Sequence, residues 1–208
     1  MLYLWDCRPV SPEAGEDPSA EACRGPRRRE RVQRLTGKRR AETVSAEALC
    51  RELWERFPCK EAGASFLLEE DGYGKPCLLL SPLYVSLSHS GGFAAAAVGD
   101  LSLGIDLQVL RPVSLPVQQR LYSSEERDWI AAAAGEEAAE RALRLWTMKE
   151  ARGKLRGSGI FGGRPFCASF TGESLQKEYA DCRFFFLPAP EGLFLTLCLA
   201  DVSPAPEA

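Results

Sequence analysis

The stretch Tyr84-Val85-Ser86-Leu87-Ser88-His89-Ser90-Gly91-Gly92-Phe93-Ala94-Ala95-Ala96-Ala97-Val98-Gly99-Asp100-Leu101-Ser102-Leu103-Gly104-Ile105-Asp106-Leu107-Gln108-Val109-Leu110 is cut into three short apolar runs by Gly91-Gly92 and Gly99-Asp100. Tyr84 to His89 alternates with a period of two, which places Val85, Leu87 and His89 on one face of a strand and the serines on the other. The alanines of Phe93 to Val98 favour helix intrinsically. The run is too short for one and is bounded by turn residues, so it reads as a strand feeding a hairpin into Leu103 to Leu110. In that third strand Asp106 and Gln108 share a face, with Ile105, Leu107 and Val109 opposite.

Upstream, Leu2 to Trp5 reads as a short strand, followed by a loop from Pro9 to Pro26 and a basic helix to about Leu35. Ser45 is a capable N-cap for a further helix, in which Ala48, Leu49, Leu53 and Phe57 recur at helical spacing before Pro58. Downstream, Ser123 or Ser124 caps a helix through Ala134, and a longer helix runs from about Glu136 to Leu155. Gly157, Gly159, Gly162, Gly163 and Pro165 stop it. Alternation near Cys167 to Phe170, Cys182 to Leu187 and Leu193 to Leu199 predicts three closing strands. Helix followed by strands in each half gives an α+β fold. The join falls near Gly99 to Leu103, so residues 1–102 form one half, 103–202 the other, and 203–208 a frayed tail.

With 208 residues, 45% of them hydrophobic, the chain has material for a substantial core. A net charge of -3 argues against wholesale nucleic-acid binding, although Arg24, Arg27, Arg28, Arg29, Arg31, Arg34, Lys38, Arg39 and Arg40 crowd one stretch. The eight cysteines contain no Cys-x-x-Cys pair and the only histidine is His89, so they read as reduced thiols in a cytoplasmic protein. No apolar run approaches the length of a membrane span, and no basic leader followed by an apolar run opens the chain.

Chemistry concentrates in two segments. In the helical stretch Trp146-Thr147-Met148-Lys149-Glu150-Ala151-Arg152-Gly153-Lys154, Trp146, Glu150 and Lys154 lie on one stripe. The carboxylates of Asp106 and Glu150, with the amide oxygen of Gln108, suit a hard cation such as Mg²⁺, which is usually completed by water and substrate phosphates. Plainer explanations exist for each residue. Asp106 fits a solvated sheet face, Glu150 and Lys154 an exposed (i, i+4) pair, His89 a core position, Lys75 an exposed turn, and the basic stretch a solvated helix.

In order along the chain, Gly74-Lys75-Pro76, Ser88-His89-Ser90-Gly91, Gly104-Ile105-Asp106, Tyr122-Ser123-x-x-Glu126 and Trp146-x-x-Lys149-Glu150-x-x-x-Lys154 closely resemble the 4′-phosphopantetheinyl transferases of the larger, Sfp-like type. The resemblance is specific from Gly74 to Lys154 and looser outside it. It implies two similar α+β halves related by a pseudo-two-fold axis, with the active site between them, in a chain that acts as a monomer. It also implies a Mg²⁺-dependent transfer of 4′-phosphopantetheine from CoA to a serine of an acyl or peptidyl carrier protein, releasing adenosine 3′,5′-bisphosphate. Under it Asp106 and Glu150 are metal ligands, Glu150 is also the base, and Lys154 contacts the CoA phosphates and developing charge. Lys75, Ser88 and His89 bind CoA phosphate, and some of Lys38, Arg39 and Arg40 meet the 3′-phosphate. Two positions depart from the family pattern: Gln108 stands where many relatives have a third carboxylate, and Glu42 falls where an arginine is common.

Other chemistries fit less well. A hydrolase built on His89 lacks a Gly-x-Ser-x-Gly elbow, and Ser88 and Ser90 point to the face opposite His89. The glycines from Gly157 to Gly163 follow a helix instead of preceding one and lack a Gly-Lys-Ser/Thr ending, so they are not a phosphate loop. A CoA- or carrier-binding module of the same fold without turnover is the remaining alternative, and Gln108 is its support.

Overall fold

The computed structural model describes residues 1–11, 21–58, 64–162 and 166–201. The tail at 203–208, Cys59, Gly163, Pro165 and much of the loop read between Pro9 and Pro26 lie outside them. The elements run β1 (Tyr3–Pro9), α1 (Pro26–Gln33), α2 (Gly37–Arg56), β2 (Leu68–Glu70), β3 (Pro76–Leu78), β4 (Tyr84–Ser90), β5 (Phe93–Gly99) and β6 (Leu103–Val109). There follow α3 (Leu115–Leu121), α4 (Ser124–Ala131), α5 (Gly135–Arg156), β7 (Phe170–Thr171), β8 (Ser174–Leu175), β9 (Glu178–Tyr179), β10 (Cys182–Leu187) and β11 (Leu193–Ala200).

Two antiparallel sheets, β1-β5-β4 and β6-β11-β10-β9, occupy the centre of an α+β fold. On the outer face of the first, α2 lays Leu49, Cys50, Leu53 and Trp54 against Val85, Ala96 and Val98. Between the sheets Ala95 and Ala97 meet Ile105, Leu107, Leu195 and Leu197. On the far face of the second, Met148, Ala151 and Leu155 of α5 cover Cys182, Phe184 and Cys198. The order of layers is therefore helix, sheet, sheet, helix, and β5 is buried on both faces. Among the described residues no helix is long and apolar enough to cross a membrane.

The hairpin expected between the second and third runs is absent. Gly91 and Gly92, at φ 61° and 81°, turn β4 back onto β5 instead, and β6 leaves for the other sheet, pairing with β11 from Val109↔Leu193 to Leu103↔Leu199. The reason is that both edges of β5 are taken, one by β1 and the other by β4.

Helix α2 starts at Gly37, well before Ser45, which is buried within the helix and accepts a hydrogen bond from the Ser11 amide at 3.1 Å. The turns carrying Lys38, Arg39 and Arg40 have no apolar period to announce them, yet Val44 and Ala46 just beyond are buried and hold this part of the helix to the core. Helix α3 and the short β2–β3 ribbon escaped the periodicity reading. Helix α5 and the strands β10 and β11 fall close to where it put them, whereas only Phe170 of the first closing strand is extended.

Candidate active site

The two sheets meet along a seam made by side chains. Ser86, Ser88 and Ser90 of β4 accept hydrogen bonds through Oγ from the amides of Ile105, Leu107 and Val109 of β6, at 3.0, 3.0 and 3.1 Å. Alternate serines thus satisfy alternate amides that a neighbouring strand would otherwise bind, and they fix β6 beside β4. Helix α5 then crosses β6 at Gly104, where a Cβ would fall 2.0 Å from the Ala151 carbonyl oxygen. Only glycine permits this approach, and it brings α5 directly over Asp106.

The rotation of α5 is set by a buried ion pair. Glu126, fully enclosed, accepts from Lys149 Nζ at 2.8 Å, from the Ala168 amide at 2.7 Å and from the Ser123 amide at 2.7 Å. Ser123 in turn accepts from the Glu126 amide, so the Tyr122-to-Glu126 segment is a capping box that also clamps α5. With Lys149 facing inward, Glu150 and Lys154 turn toward the seam.

Asp106 is 2% exposed. Its Oδ1 accepts from Ser88 Oγ at 3.0 Å and from Lys154 Nζ at 2.7 Å, and its Oδ2 from Gln108 Nε2 at 3.3 Å. Lys154 spends its remaining donors on Ser88 Oγ and the Ile105 carbonyl, both at 2.9 Å. Neither the solvated sheet face for Asp106 nor the simple (i, i+4) pair for Glu150 and Lys154 describes this arrangement. Glu150 is half-buried, and its carboxyl is pushed above the usual range by burial and then by the charge of Asp106, with Lys154 opposing.

Beside this cluster lies a cleft of about 270 Å³ whose wall includes Arg28, Arg31, Lys75, His89 and Lys154. Lys75 Nζ donates to the Leu155 carbonyl at 2.6 Å, capping the end of α5 from the other half of the chain. Burial pulls the Lys75 ammonium below its ordinary value, opposed by Asp71 and Cys77. His89 Nδ1 lies 3.2 Å from Glu42 Oε2. Burial holds this imidazole below its ordinary value; Glu42 opposes the shift, and Lys154, Arg39 and Arg28 reinforce it.

From the basic stretch it is Arg28 and Arg31 that enter the cleft wall, while Arg40 donates to the Val32 carbonyl at 2.9 Å and Lys38 sits 3.7 Å from Glu42. Arg28 is buried against Glu47 at 2.6 Å and Glu70 at 2.5 Å, and the exposed Arg31 reaches Glu70 at 3.0 Å. The (i, i+3) spacing of Arg28 and Arg31 was the available signal, since it puts both on one helical face.

Among the described residues no three His, Cys, Asp or Glu side chains converge as a metal cluster. The Asp106 and Glu150 carboxylates are near enough that the Asp106 charge, second to burial, raises the Glu150 carboxyl, and Gln108 turns its amide nitrogen to Asp106 at 3.3 Å. That chemistry fits a hard divalent cation that takes its other oxygens from water or phosphate.

The family model described as the 4′-phosphopantetheinyl transferase superfamily matches residues 102–189. The 4′-phosphopantetheinyl transferase psf-1 of Bacillus pumilus is 34% identical over 118 residues, 56% of this chain and 49% of its own. The 4′-phosphopantetheinyl transferase Sfp of Bacillus subtilis strain 168 is 30% identical over 156 residues, 74% of this chain and 68% of its own. The ffp transferase of Bacillus subtilis is 29% identical over 136 residues, 64% of this chain and 60% of its own. The match thus spans 49% of the first relative's length and 68% of the second's.

Proposed function

The chain belongs to the 4′-phosphopantetheinyl transferase superfamily, and on that premise we propose that it moves the phosphopantetheine arm of CoA onto a serine of an acyl or peptidyl carrier protein. The observation that carries this reading is the junction of Asp106, Ser88 and Lys154 at the seam between the sheets, beside a cleft walled by Arg28, Arg31, Lys75 and His89. Anionic carboxylates stand next to a cationic, phosphate-sized groove, with one residue, Lys154, common to both.

In this mechanism residues 1–102 and 103–202 act as two halves around the site. Lys75, His89, Ser88 and the arginines of the basic stretch bind the CoA phosphates, with Lys38, Arg39 and Arg40 extending the positive field beyond the cleft. Asp106, Glu150 and, more weakly, Gln108 would hold Mg²⁺, which would supply positive charge to the pyrophosphate oxygens. Glu150, directly or through water, takes the serine proton as the serine oxygen bonds to the β-phosphorus. The bond from that phosphorus to its bridging oxygen breaks, and Lys154 stabilises the adenosine 3′,5′-bisphosphate that departs. The protein acts as a monomer in a reducing cytoplasm.

The Gln108 amide nitrogen turned toward Asp106 favours one second reading, a CoA- or carrier-binding module without turnover. A panel of apo-carriers incubated with CoA and Mg²⁺ and followed by intact mass decides between them. A mass gain of one phosphopantetheine arm with release of adenosine 3′,5′-bisphosphate supports the transferase; CoA binding without mass gain supports the module.

A further inference from the structure

Glu42 is 8% exposed, lies on α2, and directs a carboxylate oxygen to within 3.2 Å of Nδ1 of the only histidine in the chain. A carboxylate can only accept a hydrogen bond, so the proton on the ring must sit on Nδ1. The other ring nitrogen, Nε2, then carries a lone pair in the neutral imidazole. His89 itself lines the cleft. A neutral His89 held in this way offers an entering phosphate a lone pair, which repels it, unless the ring takes up a second proton.

We propose that Glu42 is a positioning residue for His89, fixing the Nδ1-protonated tautomer and supplying the counter-charge that lets the ring become a cation when a CoA phosphate arrives at Nε2. The role of the cleft as a CoA site rests on the reading above; the Glu42–His89 relationship does not. Four charged groups bear on the ring from three helices: Glu42 and Arg39 of α2, Arg28 of α1 and Lys154 of α5. The three cations disfavour a second proton, and Glu42 alone favours it. In the free protein they and burial keep the ring neutral near pH 7. A phosphate entering the cleft adds negative charge on the open side, and His89 becomes a cation between two anions, with Glu42 behind it and phosphate in front. CoA binding then draws a proton from solution. A phosphate monoester entering a basic groove sheds its own proton, which is the opposite sign, so net uptake identifies the imidazole as the acceptor.

The chain's single histidine makes the test direct. Imidazole ¹⁵N shifts of the free protein report the tautomer, and calorimetric titration with CoA in buffers of different ionisation enthalpy reports proton uptake near pH 7.5. The expected result is the Nδ1–H tautomer in the wild type and uptake on binding CoA. Glu42→Gln should lower the His89 midpoint, abolish uptake and weaken CoA by about tenfold, with its folding checked by thermal unfolding. Glu42→Asp, which keeps the charge, should restore part of the uptake. Uptake with CoA but not 3′-dephospho-CoA would support the proposal with the 3′-phosphate as partner, and uptake with both would support it with the pyrophosphate. An Nε2–H tautomer in the free wild type, or undiminished uptake in Glu42→Gln, would overturn it. Failure of the wild type to bind CoA would overturn the functional reading and the proposed proton linkage together, while the tautomer would still decide whether Glu42 positions His89.

Discussion

Lys154 Nζ stands 2.7 Å from Asp106 Oδ1, across the gap between α5 and β6, and not beside Glu150 one turn back on its own helix. Under the proposed mechanism the ammonium occupies an oxygen that the metal would need, so it would act as an internal substitute for the cation. A phosphate bound in the cleft as proposed would offer Lys154, which lines it, a second anionic partner and free that oxygen.

Lys154→Met should therefore destabilise the metal-free protein by about 3 kcal/mol, because Asp106 is left buried with its charge unpaired. Added Mn²⁺, as a Mg²⁺ substitute, should recover part of that loss and should bind the variant more tightly than the wild type when CoA is absent. Thermal unfolding with and without Mn²⁺ tests both. Equal metal affinity in the two proteins would show that Lys154 does not compete with the ion.

Glu150→Gln should lower transfer by at least about 10²-fold, the usual contribution of a general base, while the fold survives. Stability gives an independent check. Because the Glu150 carboxyl is raised in the folded protein, its contribution is fully present below the unfolded pKa and is lost as pH rises through the folded value. The glutamine variant, free of that loss, should be as stable as or more stable than the metal-free wild type at pH 7, and the gap should close toward pH 4. Denaturant titrations at the two pH values measure it.

Arg31, exposed at the wall of the cleft, separates two views of the basic stretch. Arg31→Ala should weaken CoA more than neutralising Lys38, Arg39 and Arg40 together, and either change should affect CoA more than 3′-dephospho-CoA if the 3′-phosphate is the partner. Calorimetry with the two ligands supplies the comparison. An equal loss for both ligands would assign these residues to another role, such as carrier docking.

Gly104→Ala puts a methyl group into the Ala151 carbonyl, with the Leu155 amide nitrogen at 2.5 Å. The backbone of α5 must move, at a cost of about 3 kcal/mol. Asp106 and Glu150 would be displaced relative to each other, so activity should fall further than the loss of folded protein explains. Specific activity per folded molecule, with the folded fraction read from unfolding curves, tests this.

Residue order alone determined the features that arise within a few positions of chain. The period-two alternation of β4, the Gly91-Gly92 turn, the stripe of Trp146, Glu150 and Lys154 on α5 and the Ser123–Glu126 cap are set by backbone geometry and neighbouring side chains, so they are legible without a fold. The tertiary structure decided which of these meet. Whether β6 pairs with β5 or β11 depends on edges already filled by β1 and β4. Likewise, Lys154 bonds Asp106 in preference to its helical neighbour because Gly104 lets α5 descend onto β6 and the Glu126–Lys149 pair sets its rotation. Glu42 reaches His89, and Arg31 reaches the cleft, through the docking of α1 and α2. These partners lie tens of residues apart, and contacts at that range are fixed by packing of the whole core, for which local periodicity holds no signal.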